Sequence, residues 1–394
     1  KIIPIINLII ICSFLLFDYK KKIIHKELNK ISILNNNNFD YLIIFFLLCV
    51  AYNYFNNYFS PYFITDIHEN AWINTTLAFS KDINPLILNN SSEFANLYSS
   101  VWPLLVSKFA FLTELKISSI KNLMHIINLF VFIFFCFLII QFIEKKNKIN
   151  LILILASCYL IFTQRTNLGS SPHTIGMAMY TIAIFISYFK KGNFYLSVSL
   201  ILITFASLFK QYFFLGIFLV AIPHLEKLEI KKIMIFLIWV IITSIIYFVL
   251  NYNYEMYLDI HYNFYLNYSK FVKLEIYRIF YEVGYLLKYF PFLIIIFIYS
   301  IIDYDFKVAH KRKFFITSLL VVIFIISKMW TNKGNFGIYS LHLILPLMLV
   351  YIVEFINNNQ DKKKFFSLIN IFIVISILIN FNNEFGYIDN KKIK

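Results

Sequence analysis

The chain is cut into long, nearly uncharged apolar blocks, and this feature removes most folds from consideration. Blocks such as 41–59, 123–143 and 232–250 run for about 20 residues, the length of helix that crosses a hydrocarbon core. Backbone in lipid must satisfy its own hydrogen bonds, which a helix does within one segment. Transmembrane strands would instead show shorter segments of alternating polarity. The composition agrees: 14% of residues are charged and 60% hydrophobic, whereas a soluble domain carries about 25% charged residues. The sequence predicts an all-α, polytopic integral membrane protein with about 11–12 transmembrane helices.

The expected spans are roughly 2–17, 41–59, 121–142, 149–163, 174–189, 194–209, 211–223, 233–250, 284–302, 314–328, 338–355 and 365–381. Residues 2–17 precede a basic stretch without a small-residue cleavage site, so they read as a span and not as a signal peptide. The net charge of +15 does not point to nucleic acid, because the lysines sit in short clusters between apolar blocks. The alternate loops 18–30, 144–150, 190–192, 224–232, 303–313 and 357–364 hold 20 of the 36 Lys and Arg residues, which makes that side cytoplasmic. Two long loops fall on the other side, 60–120 and 251–283. Within the first, 71–79 and 101–112 are apolar but too short to span, and read as helices lying in the membrane interface. The chain divides into a span and basic loop at 1–40, a transmembrane core at 41–356, and a final span and tail at 357–394. Cys12, Cys49, Cys136 and Cys158 all lie in apolar blocks without a CxxC pair, so neither a disulfide framework nor a zinc site is expected.

Four outward-facing groups of residues have chemical potential. Asp66-Ile67-His68-Glu69-Asn70 places two carboxylates three residues apart, on one face of a helix. An interface lowers the dielectric and can lift a carboxyl toward a useful general base; a solvated helix cap is the other reading. Arg165, followed by Gly169-Ser170-Ser171-Pro172-His173, forms an outer turn able to hold a phosphate, or simply an interfacial turn with a snorkelling arginine. Lys210-Gln211 interrupts an otherwise apolar stretch from Phe194 to Pro223. Charge near membrane depth is usually functional, although the pair also suits an ordinary turn between short helices. His342, one turn into the span containing Pro346, either lines a cavity or is satisfied in the core. No Walker loop, GxGxxG, HExxH or GxSxG occurs, so soluble-nucleotide chemistry has no support.

The order of these features resembles the GT-C superfamily of polyprenol-dependent glycosyltransferases, whose bacterial members include relatives of protein O-mannosyltransferases and aminoarabinose transferases. The acidic first outer loop is followed by Ile83-Asn84-Pro85-Leu86, then by Tyr98-Ser99-Ser100-Val101-Trp102-Pro103-Leu104-Leu105 before a span. Arg165 with Ser171-Pro172-His173 looks like the family's R-x-D turn, with His where Asp is common. Phe209-Lys210-Gln211 looks like its T-K-Q step. Tyr339-Ser340-Leu341-His342, leading to Pro346, looks like the start of its late span, without the family's Arg.

The resemblance implies inverting transfer of a sugar from a polyprenyl-phosphate donor to a lipid, glycan or protein acceptor. The enzyme would sit in the bilayer, in a bacterial inner membrane, with its site facing the periplasm. Asp66 would act as base with Glu69 in support, and Arg165, His173, Lys210, Gln211 and His342 would hold the donor phosphate. No cofactor is implied with certainty; Glu69 could bind a divalent metal, whose use varies across the superfamily. Two competing readings remain: a surface-polysaccharide polymerase or ligase, and a transporter or flippase. Polymerases place their arginines in late outer loops, and transporters show internal repeats with charges at the midplane. Neither pattern is visible here.

Overall fold

The computed structural model describes residues 67–83, 101–112, 115–140, 142, 171–225, 230–252, 291–329, 336–359, 370, 371 and 373. The expected spans at 2–17, 41–59 and 149–163 lie outside these residues, as do nearly all of the second outer loop and most of 365–381. Among the described residues the chain is helical and contains no strand, so the all-α expectation holds.

Helix α1 spans Ile67–Ser80 and α2 spans Val101–Ser107, followed by a 3-10 turn at Ala110–Leu112. Next come α3 (Ile117–Ile140), α4 (His173–Phe189) and α5 (Asn193–Phe209). A 3-10 turn at Gln211–Leu215 leads into a short α6 (Gly216–Ala221) and a second 3-10 turn at Ile222–His224. The long helices α7 (Ile230–Tyr252), α8 (Pro291–Ile302), α9 (Ala309–Met329) and α10 (Phe336–Asn358) follow. Most observed boundaries fall within a few residues of the expected ones. The segment 211–223 differs, being a broken hairpin arm and not a straight span. Its length alone is too short to cross about 30 Å at 1.5 Å per residue.

α4 and α5 form an antiparallel hairpin around which the other elements pack. Their turn carries Gly192 at φ 121°, a conformation that side-chain-bearing residues rarely adopt. Two further glycines bring backbones together. A Cβ on Gly176 would lie 2.5 Å from Phe213 Cε2, and one on Gly216 would lie 2.5 Å from Ile203 Cδ1 and 2.8 Å from Tyr180 Cε2. Pressing the 211–221 arm onto the α4–α5 hairpin therefore depends on residues without a Cβ at these two positions. Tyr180, Ile184, Phe185, Leu200, Ile203, Phe213, Leu293, Ile296, Phe314, Val350 and Ile352 are the buried centre of this core.

The short apolar segments expected to be helical at 71–79 and 101–112 do form helices, and they bury their large side chains against protein. Trp72 and Ile73 of α1, and Trp102 and Val106 of α2, pack on Ile120, Leu123 and Met124 of α3, with Ile175 and Phe209 completing the cluster. Outward-facing apolar residues there are Phe109, Phe111, Leu112, Leu115 and Ile117.

At the other end of the hairpin a polar cluster ties helices together. Tyr188 donates to the Glu354 carboxylate, and Lys311 pairs with the same carboxylate. The Tyr188 and Tyr304 hydroxyls are 3.1 Å apart. His310 places its two ring nitrogens 3.2 Å from the carbonyls of Pro223 and Tyr188. These bonds join α4, α9, α10 and the 222–224 turn.

Among the described residues no helix is long and apolar enough to cross a membrane.

Candidate functional site

The site is built where α5 ends. Lys210 leaves the helix at φ −149°, ψ 122°, an extended conformation that stops α5 and starts the 3-10 turn. Its N–H still bonds to the Ala206 carbonyl at 3.1 Å, and its own carbonyl accepts from the Phe213 N–H at 3.1 Å. One backbone thus fixes both Lys210 and Tyr212. Lys210 Nζ lies 5.4 Å from the centre of the Trp72 ring on α1, within cation–π range. Burial pushes the Lys210 amine down to about 7, because a charged amine loses hydration there.

α4 begins against this corner. Its first residue, His173, is buried, as are Ser171 and Pro172 before it. The His173 N–H donates to Ser171 Oγ at 3.2 Å, so Ser171 supplies a local cap where Pro172 has no side-chain donor or acceptor. The same hydroxyl bonds His173 Nδ1. Asn128 of α3 donates through Nδ2 to the Ser171 carbonyl at 2.9 Å, fixing the turn from the other side. The α4 N-terminus carries partial positive charge and favours an anion.

His342 enters from α10. Pro346, four residues on, has no N–H for the His342 carbonyl, so α10 loses one helical bond at this level. Tyr180 of α4 reaches the neighbouring Leu343 carbonyl at 3.5 Å. The His342 ring centre is 5.1 Å from that of His173, and its Nδ1 is 3.2 Å from the Tyr212 hydroxyl. Tyr212 in turn stacks on His173 at 6.1 Å and 25°. Trp72 meets His173 edge-on at 6.3 Å. Four segments far apart in sequence thus bring one amine, two imidazoles, a phenol and an indole into one buried site.

Three expected phosphate ligands, His173, Lys210 and His342, therefore come together. Gln211 is next to Lys210 in the backbone, but its side chain lies outside the described set, and Arg165 and Asp66 lie outside the described residues altogether. Glu69 belongs to the first turn of α1, three residues before Trp72; its side chain is likewise outside the described set. Trp72, Tyr212 and Asn128 were not singled out from the sequence, whereas Ser171 belongs to the hydroxyl-bearing turn marked there before His173. Asn128 did leave a signal: Lys121, His125 and Asn128 recur at i, i+4 and i+7 inside an apolar block, and all three are buried. Among the described residues no three His, Cys, Asp or Glu side chains gather as a metal site.

An amine, imidazole N–H groups and a helix N-terminus together suit a phosphate, with aromatic faces beside it. No protein-family model, curated protein or solved structure matches the chain.

Proposed function

We propose that this protein is a polytopic membrane glycosyltransferase that moves a sugar from a polyprenyl-phosphate donor to an acceptor on the extracytoplasmic face. The observation that carries the reading is the convergence of His173, Lys210 and His342 beside Trp72. The resemblance marks these residues, from separate segments, as phosphate ligands, and they meet in one buried place. The phosphate lies against Lys210 and the α4 N-terminus. As the glycosidic bond to phosphate breaks, charge builds on the leaving oxygen and those donors stabilise it. Asp66, with Glu69 beside it in sequence, takes the proton from the acceptor hydroxyl.

The membrane reading is supported by the outward faces of the long helices. Met234, Leu237, Ile238, Ile241 and Ile245 form an exposed stripe on α7, and Ile316, Leu319, Leu320, Ile323 and Phe324 form another on α9. A water-facing helix shows the reverse pattern, with its polar face outward, and apolar patches of this extent mark contact with lipid or protein.

The test is sugar transfer in membranes supplied with polyprenyl-phosphate sugars, comparing the native chain with Asp66→Asn and Lys210→Met. Loss of transfer in both, at equal expression, supports the reading. Transfer that survives Lys210→Met removes the phosphate site from this corner. No consumption of any donor sinks the enzyme reading and favours transport. Chelation during the same assay decides whether a divalent metal takes part.

A further inference from the structure

We infer that Tyr212 is a positioning residue: its hydroxyl donates to His342 Nδ1, holding the ring proton on Nε2 and turning a neutral imidazole into an N–H donor for the site. This rests on the anion-site reading above and adds to it how the histidines are made competent. The Tyr212 hydroxyl and His342 Nδ1 are 3.2 Å apart, within hydrogen-bond reach. Either group could supply the proton to such a bond. A phenol is much the better donor, since its oxygen lone pair is drawn into the ring and accepts poorly. With Nδ1 accepting, the imidazole carries its proton on Nε2.

The geometry keeps Tyr212 in this role. Its ring lies 6.1 Å from the His173 ring, inclined by 25°, and 4.5 Å from that of Phe213. Phe213 is fully buried against the Gly176 position, which anchors the 3-10 turn. The hydroxyl can therefore swing little. The neighbouring ring is arranged in the same way. Ser171 Oγ accepts from the His173 N–H at 3.2 Å and also bonds His173 Nδ1, and the inference extends to this pair with the serine hydroxyl as the donor. With that assignment two hydroxyls serve two imidazoles, and both rings carry their proton on Nε2. The site then gains hydrogen-bond donors without gathering two more positive charges beside Lys210.

The experiment is ring 15N NMR of the full chain in lipid bilayers without donor, with His342→Asn used to assign the His342 signals. The expected result is a neutral Nε2–H ring in the native chain. Tyr212→Phe keeps the ring and its stacking, and should move His342 to the other tautomer or to a mixture. Ser171→Ala should do the same at His173, an independent check should Tyr212→Phe fold poorly. A native ring protonated on Nδ1, or a His342 signal unchanged by Tyr212→Phe, overturns the inference. Binding of a polyprenyl phosphate is measured on the same samples, and Tyr212→Phe should weaken it about tenfold, the loss of one net hydrogen bond. If the tautomer behaves as expected but no polyprenyl phosphate binds, the anion-site reading fails and the role of Tyr212 stands.

Discussion

Lys210 gives the site a pH dependence whose sign and size can be worked out. Burial holds its amine at about 7 against an ordinary 10.5. A difference of that size corresponds to roughly 5 kcal/mol against the charged form. This is an upper bound, since Lys210 keeps some solvent contact and the Trp72 face returns about 0.5–2 kcal/mol to the cation. A polyprenyl-phosphate sugar is a phosphodiester and stays singly charged from acid to mildly alkaline pH, so the ligand contributes no titration of its own. An arriving anion favours the protonated amine and raises its pKa. Donor affinity should be level below about pH 7 and then weaken about tenfold per pH unit, up to the pKa of the bound state. By pH 9 the loss approaches a hundredfold, each decade being about 1.4 kcal/mol. Lys210→Arg keeps its charge at all these values and should give a flat profile. The assay is titration of a short-chain prenyl-phosphate sugar into protein in nanodiscs at several pH values, followed by Trp fluorescence. A native profile flat from pH 6 to 9, or an Arg variant with the native slope, would refute the reasoning. The sign for stability without donor follows from the same depressed pKa. Between about pH 7 and 10.5 the unfolded chain binds the proton that the folded chain has released, so stability rises with pH in that window. Lys210→Met should abolish that rise.

Three further outcomes are expected. Gly176→Ala places a Cβ 2.5 Å from the buried Phe213 ring, so unfolding midpoints should show a loss of about 1–3 kcal/mol, with donor affinity falling as the Tyr212 turn shifts. Trp72→Leu removes the aromatic face under Lys210 and should weaken donor binding about three- to tenfold by titration, with Tyr304→Phe, at the other end of the bundle, as an unaffected control. Lys311→Met strands the buried Glu354 carboxylate and should cost about 2–4 kcal/mol in chemical denaturation, most of which Lys311→Met with Glu354→Gln should restore; a double variant no more stable than the single one would argue against the pair.

The blocks of Ile, Leu and Phe determine the helices, because apolar periodicity is a local property. This is why α3, α4, α5, α7, α9 and α10 fall near their expected positions. Lys210 was legible as a site residue because one charge in a long apolar stretch is costly wherever the chain goes. His173 and His342 were marked by the segments around them, but nothing in their spacing, 169 residues apart by number, says that their rings meet at 5.1 Å. That meeting depends on α4 and α10 packing together. The sequence also gave no reason to choose Trp72 or Tyr212 over the many other aromatics among its 28 Tyr and 46 Phe. An aromatic side chain gains a role only from what lies across from it: Lys210 for Trp72, His342 for Tyr212. The broken arm at 211–223 has the same origin, since its course follows Gly176 and Gly216 pressing against Phe213, Ile203 and Tyr180. Hydrophobic pattern, charge placement and helix type belong to the sequence because they act over a few residues. The convergence of the site belongs to the tertiary structure, because packing alone decides which distant side chains share a buried volume.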